Sequence, residues 1–319
     1  EIPQKLFVSA SKTPTLGLKL DSSHKYAVAG HTFVITLPEG FRQETYLSPY
    51  SPFASEDSSD EPLITLHVAL ADNLKNVAKG KVKEIFNDEA PYFWLFEDAD
   101  NAAEWFFGFS YSKKHPDCIL RVSSDYSEGT IYVPKEYAEK LTEFALSNAM
   151  MLLYTFRTSA YETLLVHASV IENDGGGYMF LGRSGTGKST HTRLWLENIE
   201  GSTLLNDDNP IIRIMDGEIY VYGSPWSGKT PCYINRRLPL KSVVRLSQAP
   251  YNRISRQSPL QAFASLMPSC SCMRWDHDSV ESLHKTVEKV VMNVPGWHLE
   301  CLPDADAART SYNACHPEK

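Results

Sequence analysis

The sequence predicts a mixed fold of the α+β and α/β classes, with a β-rich amino-terminal domain followed by a nucleotide-binding domain. Three observations predict it. Short apolar runs bounded by turn residues fill residues 1–133, and a long stretch with helical spacing follows over 134–160. Within residues 161–319, a buried strand, a glycine-rich loop and a helix then succeed one another, which is the context of a phosphate-binding loop.

Composition and charge exclude several classes of protein. The chain has 319 residues, of which 42% are hydrophobic and 22% are charged, as is typical of a globular protein of about two domains. The net charge of -8 argues against a nucleic-acid partner. No stretch reaches the roughly 18 apolar residues of a membrane span. The six cysteines show no disulfide spacing, so we expect reduced thiols and a cytoplasmic location.

The front half is predicted to be mostly strands. The stretch Ser48–Glu61, rich in Ser, Pro and Asp, is interpreted as a mobile loop. The scattered histidines of this half indicate no catalytic group and are interpreted as surface or core residues. The predicted strands are Lys5–Ser9, Lys25–Ala29, Thr32–Leu37, Leu63–Ala69, Tyr92–Phe96, Trp105–Tyr111, Ile119–Ser123 and Thr130–Val133.

A helix from Pro134 to about Tyr154 is predicted to link this half to the nucleotide-binding domain.

A β-hairpin comes next. Leu165–Ile171 reads as one strand, residues 173–177 read Asn-Asp-Gly-Gly-Gly as a turn, and Tyr178–Leu181 is the return strand. In a hairpin the start of the first strand lies beside the end of the second, so we expect His167 close to the loop that follows Leu181.

That loop, residues 182–189, reads Gly-Arg-Ser-Gly-Thr-Gly-Lys-Ser and matches the phosphate-loop pattern in full. Its glycines let backbone N–H groups turn toward phosphate oxygens, and the following helix adds positive charge at its start. Lys188 is expected to reach the β- and γ-phosphates of ATP, and Ser189 to bind Mg²⁺. The predicted nucleotide-binding residues are Gly182, Ser184, Gly185, Thr186, Gly187, Lys188, Ser189 and Thr190.

Two carboxylates, Asp207 and Asp208, follow the next apolar run. At a strand end downstream of a phosphate loop, they suit Mg²⁺ binding and proton acceptance from a hydroxyl group. A polar turn before Pro210 is the alternative. The division of the two tasks between them stays open.

A second match to the loop pattern occurs at residues 223–230. Because Pro225 lies inside it and Pro231 opposes a following helix, we do not interpret it as a nucleotide site. It is predicted to close over the active site, with Lys229, Arg236 or Arg237 binding phosphate or substrate. A structural turn with solvated basic residues is the alternative. Further cysteines and histidines, at 270, 272, 277 and 284, fit no zinc spacing.

The remaining elements are interpreted as packing. They are a strand at Ser242–Leu246, a helix from Ser258 to Met267, a helix over 280–294, a strand at His298–Leu302 and a helix from Asp304 to Tyr312.

Residues 160–302 resemble the carboxyl-terminal domain of HPr kinase/phosphorylase, and more broadly the phosphoenolpyruvate-carboxykinase-like nucleotide fold. The shared features are His167 fifteen residues before Gly182, the hairpin, the loop 182–189 and the Asp207-Asp208 pair. The resemblance implies a kinase that uses ATP and Mg²⁺ and acts on a hydroxyl, commonly a protein serine. It implies catalytic roles for Asp207, Asp208, His167 and Lys188, and metal binding by Ser189, Asp207 and Asp208.

The chain also departs from that family. Thr190 stands where HPr kinases carry an acidic residue, and the residues before 160 do not resemble their amino-terminal domain. We therefore predict phosphoryl transfer to an acceptor of unknown identity, which is a protein, a peptide or a small hydroxyl compound. A homo-oligomer is implied by analogy alone. The alternatives are a non-catalytic ATP-binding sensor or assembly module and, less favoured, a decarboxylating carboxykinase.

Overall fold

The structure, a computed structural model, describes residues 20–56, 61–78, 80–86, 91–97, 104–228, 230–272 and 276–316. It is mixed α/β, and its strands form two sheets. The strand expected at Lys5–Ser9 lies outside the described residues. No helix in the described part of the chain is long and apolar enough to cross a membrane.

The first sheet contains the strands of the front half in the order β1-β2-β3-β8-β7-β6-β5-β4. Strand β3 runs parallel to β2 and β8, and the other neighbours are antiparallel. The strands are β1 (Leu20–Val28), β2 (His31–Pro38), β3 (Ile64–Ala71), β4 (Lys81–Phe86), β5 (Tyr92–Glu97), β6 (Glu104–Ser110), β7 (Cys118–Ser123) and β8 (Glu128–Pro134). Sequence periodicity missed β4, because this edge strand is exposed along nearly all its length and shows no alternation.

The expected mobile loop at Ser48–Glu61 is wrong for its first part. A four-residue helix α1 (Gln43–Tyr46) leads into a 3-10 turn over Ser48–Phe53. Tyr50 and Phe53 of that turn are 2% and 1% exposed and belong to the front core. Residues three apart share one side of a 3-10 turn, so this pair buries together despite the Ser-Pro composition around it. Residues 57–60 lie outside the described range.

Helix α2 (Ala138–Thr158) covers one face of the first sheet, packing on β3, β7 and β8. Its apolar side is buried, and the Tyr154 hydroxyl donates to the Val28 carbonyl 3.0 Å away. The predicted linking helix is therefore present, displaced by a few residues, and it forms part of the front core.

The second sheet follows the order β12-β10-β11-β15-β14-β13-β9, with β17 beside β15 and β16 beside β17. Strands β11, β15 and β17 run parallel. The strands are β9 (Thr163–Leu165), β10 (Ala168–Asn173), β11 (Gly176–Leu181), β12 (Thr203–Asp208), β13 (Ile211–Met215), β14 (Glu218–Tyr222), β15 (Arg237–Gln248), β16 (Arg253–Arg256) and β17 (Gly296–Cys301). The helices are α3 (Lys188–Asn198), α4 (Pro259–Leu266), α5 (His277–Asn293) and α6 (Ala305–Cys315).

The single strand expected at Leu165–Ile171 is in fact two strands. β9 pairs with β13, whereas β10 pairs with β11 and β12, so the chain changes partners between Leu165 and Ala168. At the change, the His167 backbone N–H donates to Ser269 O at 2.7 Å. The run is mostly apolar on both sides of His167, and apolar periodicity does not reveal a change of partner. The tight turn at Asp174 and Gly175, both with positive φ, agrees with the predicted hairpin.

The two halves share one core. Trp226, which follows β14, is 3% exposed and lies between the rings of Tyr50 and Tyr154 at centroid distances of 6.5 and 5.1 Å. Leu165 and Ile211 of the second sheet belong to the same cluster of buried residues.

A second contact between the halves is sensitive to pH. His31 is 5% exposed, and its Nε2 lies 2.8 Å from Thr163 Oγ1. Burial, and secondarily the Arg213 charge, lower the pKa of His31 to about 3 from 6.5. Below pH 6.5 the unfolded chain therefore binds a proton at His31 that the folded chain does not bind. The free energy of unfolding falls as the pH drops from 6.5 toward 3.

We expect the titration of His31 to lower the free energy of unfolding by about 2 kcal/mol when the pH is lowered from 6.5 to 5. Urea unfolding of wild-type protein and of His31→Gln at both pH values measures this. Gln keeps a donor for Thr163 but does not titrate, so its pH dependence should be flatter by that amount. His191, whose pKa burial lowers to about 4, leaves some dependence in both proteins. Equal slopes for the two proteins would contradict the assignment.

Candidate functional site

The site is centred on the glycine loop, residues 182–189, which joins β11 to α3. Gly185 and Gly187 have φ of +77° and +107°, a region that disfavours any side chain. Gly187 is the N-cap of α3, and no side chain caps the helix there. The first N–H groups of the helix lack intrahelical partners, so the loop presents open donors and a partial positive charge.

Lys188 points back across this loop. It is 8% exposed, and its Nζ donates to Gly182 O at 3.0 Å and lies 2.9 Å from His167 Nε2. Burial lowers the pKa of the Lys188 ammonium, while Asp208 and Asp207 act in the opposite direction. A cation buried with only neutral partners in contact leaves capacity to bind an anion.

His167 joins Lys188 to the first carboxylate. Its Nδ1 lies 2.9 Å from Asp208 Oδ1, while its Nε2 faces Lys188 Nζ. A neutral ring protonated on Nδ1 satisfies both contacts, donating to Asp208 and accepting from Lys188. The hairpin creates this arrangement, because Ala168 pairs directly with Leu181 and with Asp208 on its two sides.

The two carboxylates occupy different environments. Asp207 is 6% exposed, and its Oδ1 accepts hydrogen bonds from Ser169 Oγ and, at 3.2 Å, from Ser189 Oγ. The Asp208 side chain is 35% exposed. Asp208 also has a φ of +123°, which is rare for a residue with a side chain. The inner carboxylate therefore faces the glycine loop, and the outer one faces solvent and His167.

Residues 224–228 pack against the backbone of Asp207 and the side chain of Asp208. The Gly228 N–H and Ser227 Oγ both donate to Asp207 O, at 2.8 and 3.1 Å. A Cβ on Gly228 would come within 3.1 Å of Asp208 Cβ. Trp226 is anchored in the front core, so residues 224–228 form a wall beside the two carboxylates, and closure of this loop over the site stays a prediction. No helix begins in the described residues 230–236 that follow it, in agreement with its exclusion as a nucleotide loop.

The basic residues expected to bind phosphate or substrate are placed elsewhere. Arg236 forms an ion pair with Glu172, four residues along β10 from Ala168, and Arg237 lies over the Tyr220 ring at 4.8 Å. Both residues lie at the edge of the sheet opposite the one that carries Asp208. The structure therefore does not bring them to Lys188. Lys229 lies outside the described residues.

The cysteines near residue 270 lie in the short segment between α4 and α5. Among the described residues, no group of three or more His, Cys, Asp or Glu side chains is arranged to hold a metal ion. Cys270 is buried and its thiol contacts Leu266 O, which is the packing role of a small apolar residue.

A cleft of about 610 Å³ opens beside the glycine loop. The loop and His167 form one wall, the end of β15 forms the floor, and Ser265, Pro268 and Ser269 form the opposite wall. Gln248 at the floor donates to Gly185 O and Thr186 O at 3.4 and 3.5 Å. Sequence reasoning assigned only packing to β15, because nothing local shows which residues of a strand face a loop sixty residues earlier.

Comparisons with known proteins add little to this geometry. No family matches the chain, and no curated protein matches it. Among solved structures, the chain is similar to the HPr(Ser) kinase/phosphatase from Coxiella burnetii, with 10% identity over 47% of this chain and 95% of that one. The TM-score is 0.28, so the likeness carries no weight for the fold or the activity of this chain.

Proposed function

We propose that this chain transfers the γ-phosphoryl group of ATP to a hydroxyl group. The observation that carries the proposal is the contiguous line from Lys188 through His167 to Asp208, with contacts of 2.9 Å, at the start of a helix whose N–H groups are open. A cation and a carboxylate at one anion-binding loop are groups that phosphoryl transfer uses, and the imidazole between them orients both.

The residues present fit magnesium–ATP. The open N–H groups and Lys188 suit the phosphate oxygens, and Ser189 Oγ with the Asp207 carboxylate would hold Mg²⁺, together with waters. Bound Mg²⁺ supplies charge neutralisation for the developing phosphate charge. The proposal assigns residues 161–319 to a phosphate-loop domain resembling that of HPr kinase/phosphorylase, with residues 1–133 as a β-rich domain and 134–160 as the link.

The proposal divides the two aspartates by their environments. Asp207, buried and bonded to Ser189, would hold the metal together with that hydroxyl. Asp208, partly exposed and bonded to His167, would accept the proton of the acceptor hydroxyl. The hydroxyl oxygen would bond to the γ-phosphorus as the bond to the β-phosphate breaks and ADP leaves. His167 orients Asp208 by donating from Nδ1, and Lys188 orients the His167 ring from the other side.

Calorimetry with ATP and Mg²⁺, followed by incubation with γ-labelled ATP and a cell extract, tests the proposal. Saturable binding with label transferred to an acceptor supports it. Binding without any transfer would favour the ATP-binding sensor, and absence of binding would overturn both.

A further inference from the structure

A row of directly paired residues crosses the second sheet at the site. Asp208 pairs with Ala168, Ala168 with Leu181, Leu181 with Arg245, and Arg245 with His298. Paired residues on neighbouring strands project to the same face of a sheet. Asp208 and Arg245 therefore face the same side, at the two sides of the strand that enters the glycine loop.

Arg245 lines two adjoining cavities. One is the 610 Å³ cleft, which also includes His167, and the other is a cavity of about 240 Å³ on the side away from the glycine loop. Ser255, Gln261 and His298 line the second cavity. His298 is oriented by a 2.8 Å contact between its Nε2 and Ser247 Oγ. A groove thus extends from His167, which contacts both Lys188 and Asp208, past Arg245.

The groove is cationic in an acidic protein. The chain has a net charge of -8. Yet the described lining of the two cavities includes Arg183, Arg245 and Arg256 and no Asp or Glu. Among the described residues, no carboxylate lies within 4 Å of the Arg245 guanidinium, whereas nearby Arg253 is paired with Glu300. An unpaired arginine beside a cavity is suited to a carboxylate or phosphate group.

We propose that Arg245 binds an anionic group of the phosphoryl acceptor. This inference rests on the proposed function of the site. Three strand spacings of about 4.8 Å separate the Asp208 and Arg245 backbones by roughly 14 Å. The two side chains shorten the gap, and an extended peptide covers about 3.3 Å per residue. The acceptor therefore carries its acidic group about three residues from the hydroxyl that receives the phosphate.

Three blocked peptides test this spacing. Glu-Gly-Gly-Ser-Gly-Gly-Glu has acids three residues from serine, Gly-Gly-Glu-Ser-Glu-Gly-Gly has the same composition with adjacent acids, and Gln-Gly-Gly-Ser-Gly-Gly-Gln is neutral. Calorimetry with protein saturated with Mg²⁺ and AMP-PNP should show the first peptide binding about tenfold tighter than the other two. Arg245→Gln should remove the preference, and Arg253→Gln, a matched surface arginine outside both cavities, should keep it.

Equal affinity for the three peptides, or an unchanged preference in Arg245→Gln, would overturn the assignment of Arg245. The nucleotide titration that precedes the peptides reports separately on the proposed function. If AMP-PNP does not bind, the same peptides titrated into nucleotide-free protein still decide whether Arg245 selects a spaced acid.

Discussion

Replacing Lys188 by alanine is expected to abolish measurable binding of magnesium–ATP. The Lys188 ammonium is the buried cation of the glycine loop, and its loss removes the charge that would meet the β- and γ-phosphates. It also removes the donor that faces Gly182 O and His167 Nε2, so the two acceptors lose their shared partner. We expect affinity to fall at least about 100-fold, measured by calorimetry.

The matched control is Lys241→Ala, which removes an exposed lysine of β15 that lies beside the start of β11, away from the glycine loop. Its nucleotide affinity should equal that of the wild type. Circular dichroism of both variants establishes that the fold is intact. Tight magnesium–ATP binding by a folded Lys188→Ala protein would refute the role of the glycine loop.

The aspartates should separate catalysis from metal binding. Asp208→Asn removes the proton acceptor while preserving shape, so phosphoryl transfer should fall about 10²- to 10⁴-fold with little change in nucleotide affinity. Asp207→Asn removes the buried charge beside Ser189, so the Mg²⁺ concentration needed for nucleotide binding should rise. Label transfer from γ-labelled ATP and calorimetry across a Mg²⁺ series measure the two effects.

Asp216→Asn is the control for both variants, because Asp216 lies in the β13–β14 turn, where Asn tolerates the same positive φ. It should behave as the wild type. Unreduced transfer by Asp208→Asn would eliminate this residue as the base, and transfer lost equally in both variants with unchanged Mg²⁺ dependence would refute the division of tasks.

Local chemistry made much of the second sheet predictable. The turn at Asp174 and Gly175 fixes the hairpin, and the glycine loop follows β11 and precedes α3 as expected. His167 was located near the loop from hairpin geometry alone, although the strand break beside it depends on pairing with β13, which is far along the chain.

The remaining site residues depend on contacts that no local pattern contains. Trp226 lies in a proline-containing loop, yet it is buried by aromatic rings of the front half. Arg245 is one of several polar residues of β15, and only the register with Leu181 places it at the site. Arg236 fits a phosphate-binding residue by type, but Glu172 engages it instead.

The position of Trp226 has a consequence for dissecting the protein into parts. A protease cut between α2 and β9 would sever the backbone but would leave the indole packed against Tyr50 and Tyr154. The two fragments should therefore co-elute as one particle. A truncated version beginning near residue 161 would expose this aromatic surface to water and should aggregate, taking with it the wall that supports Asp207 and Asp208.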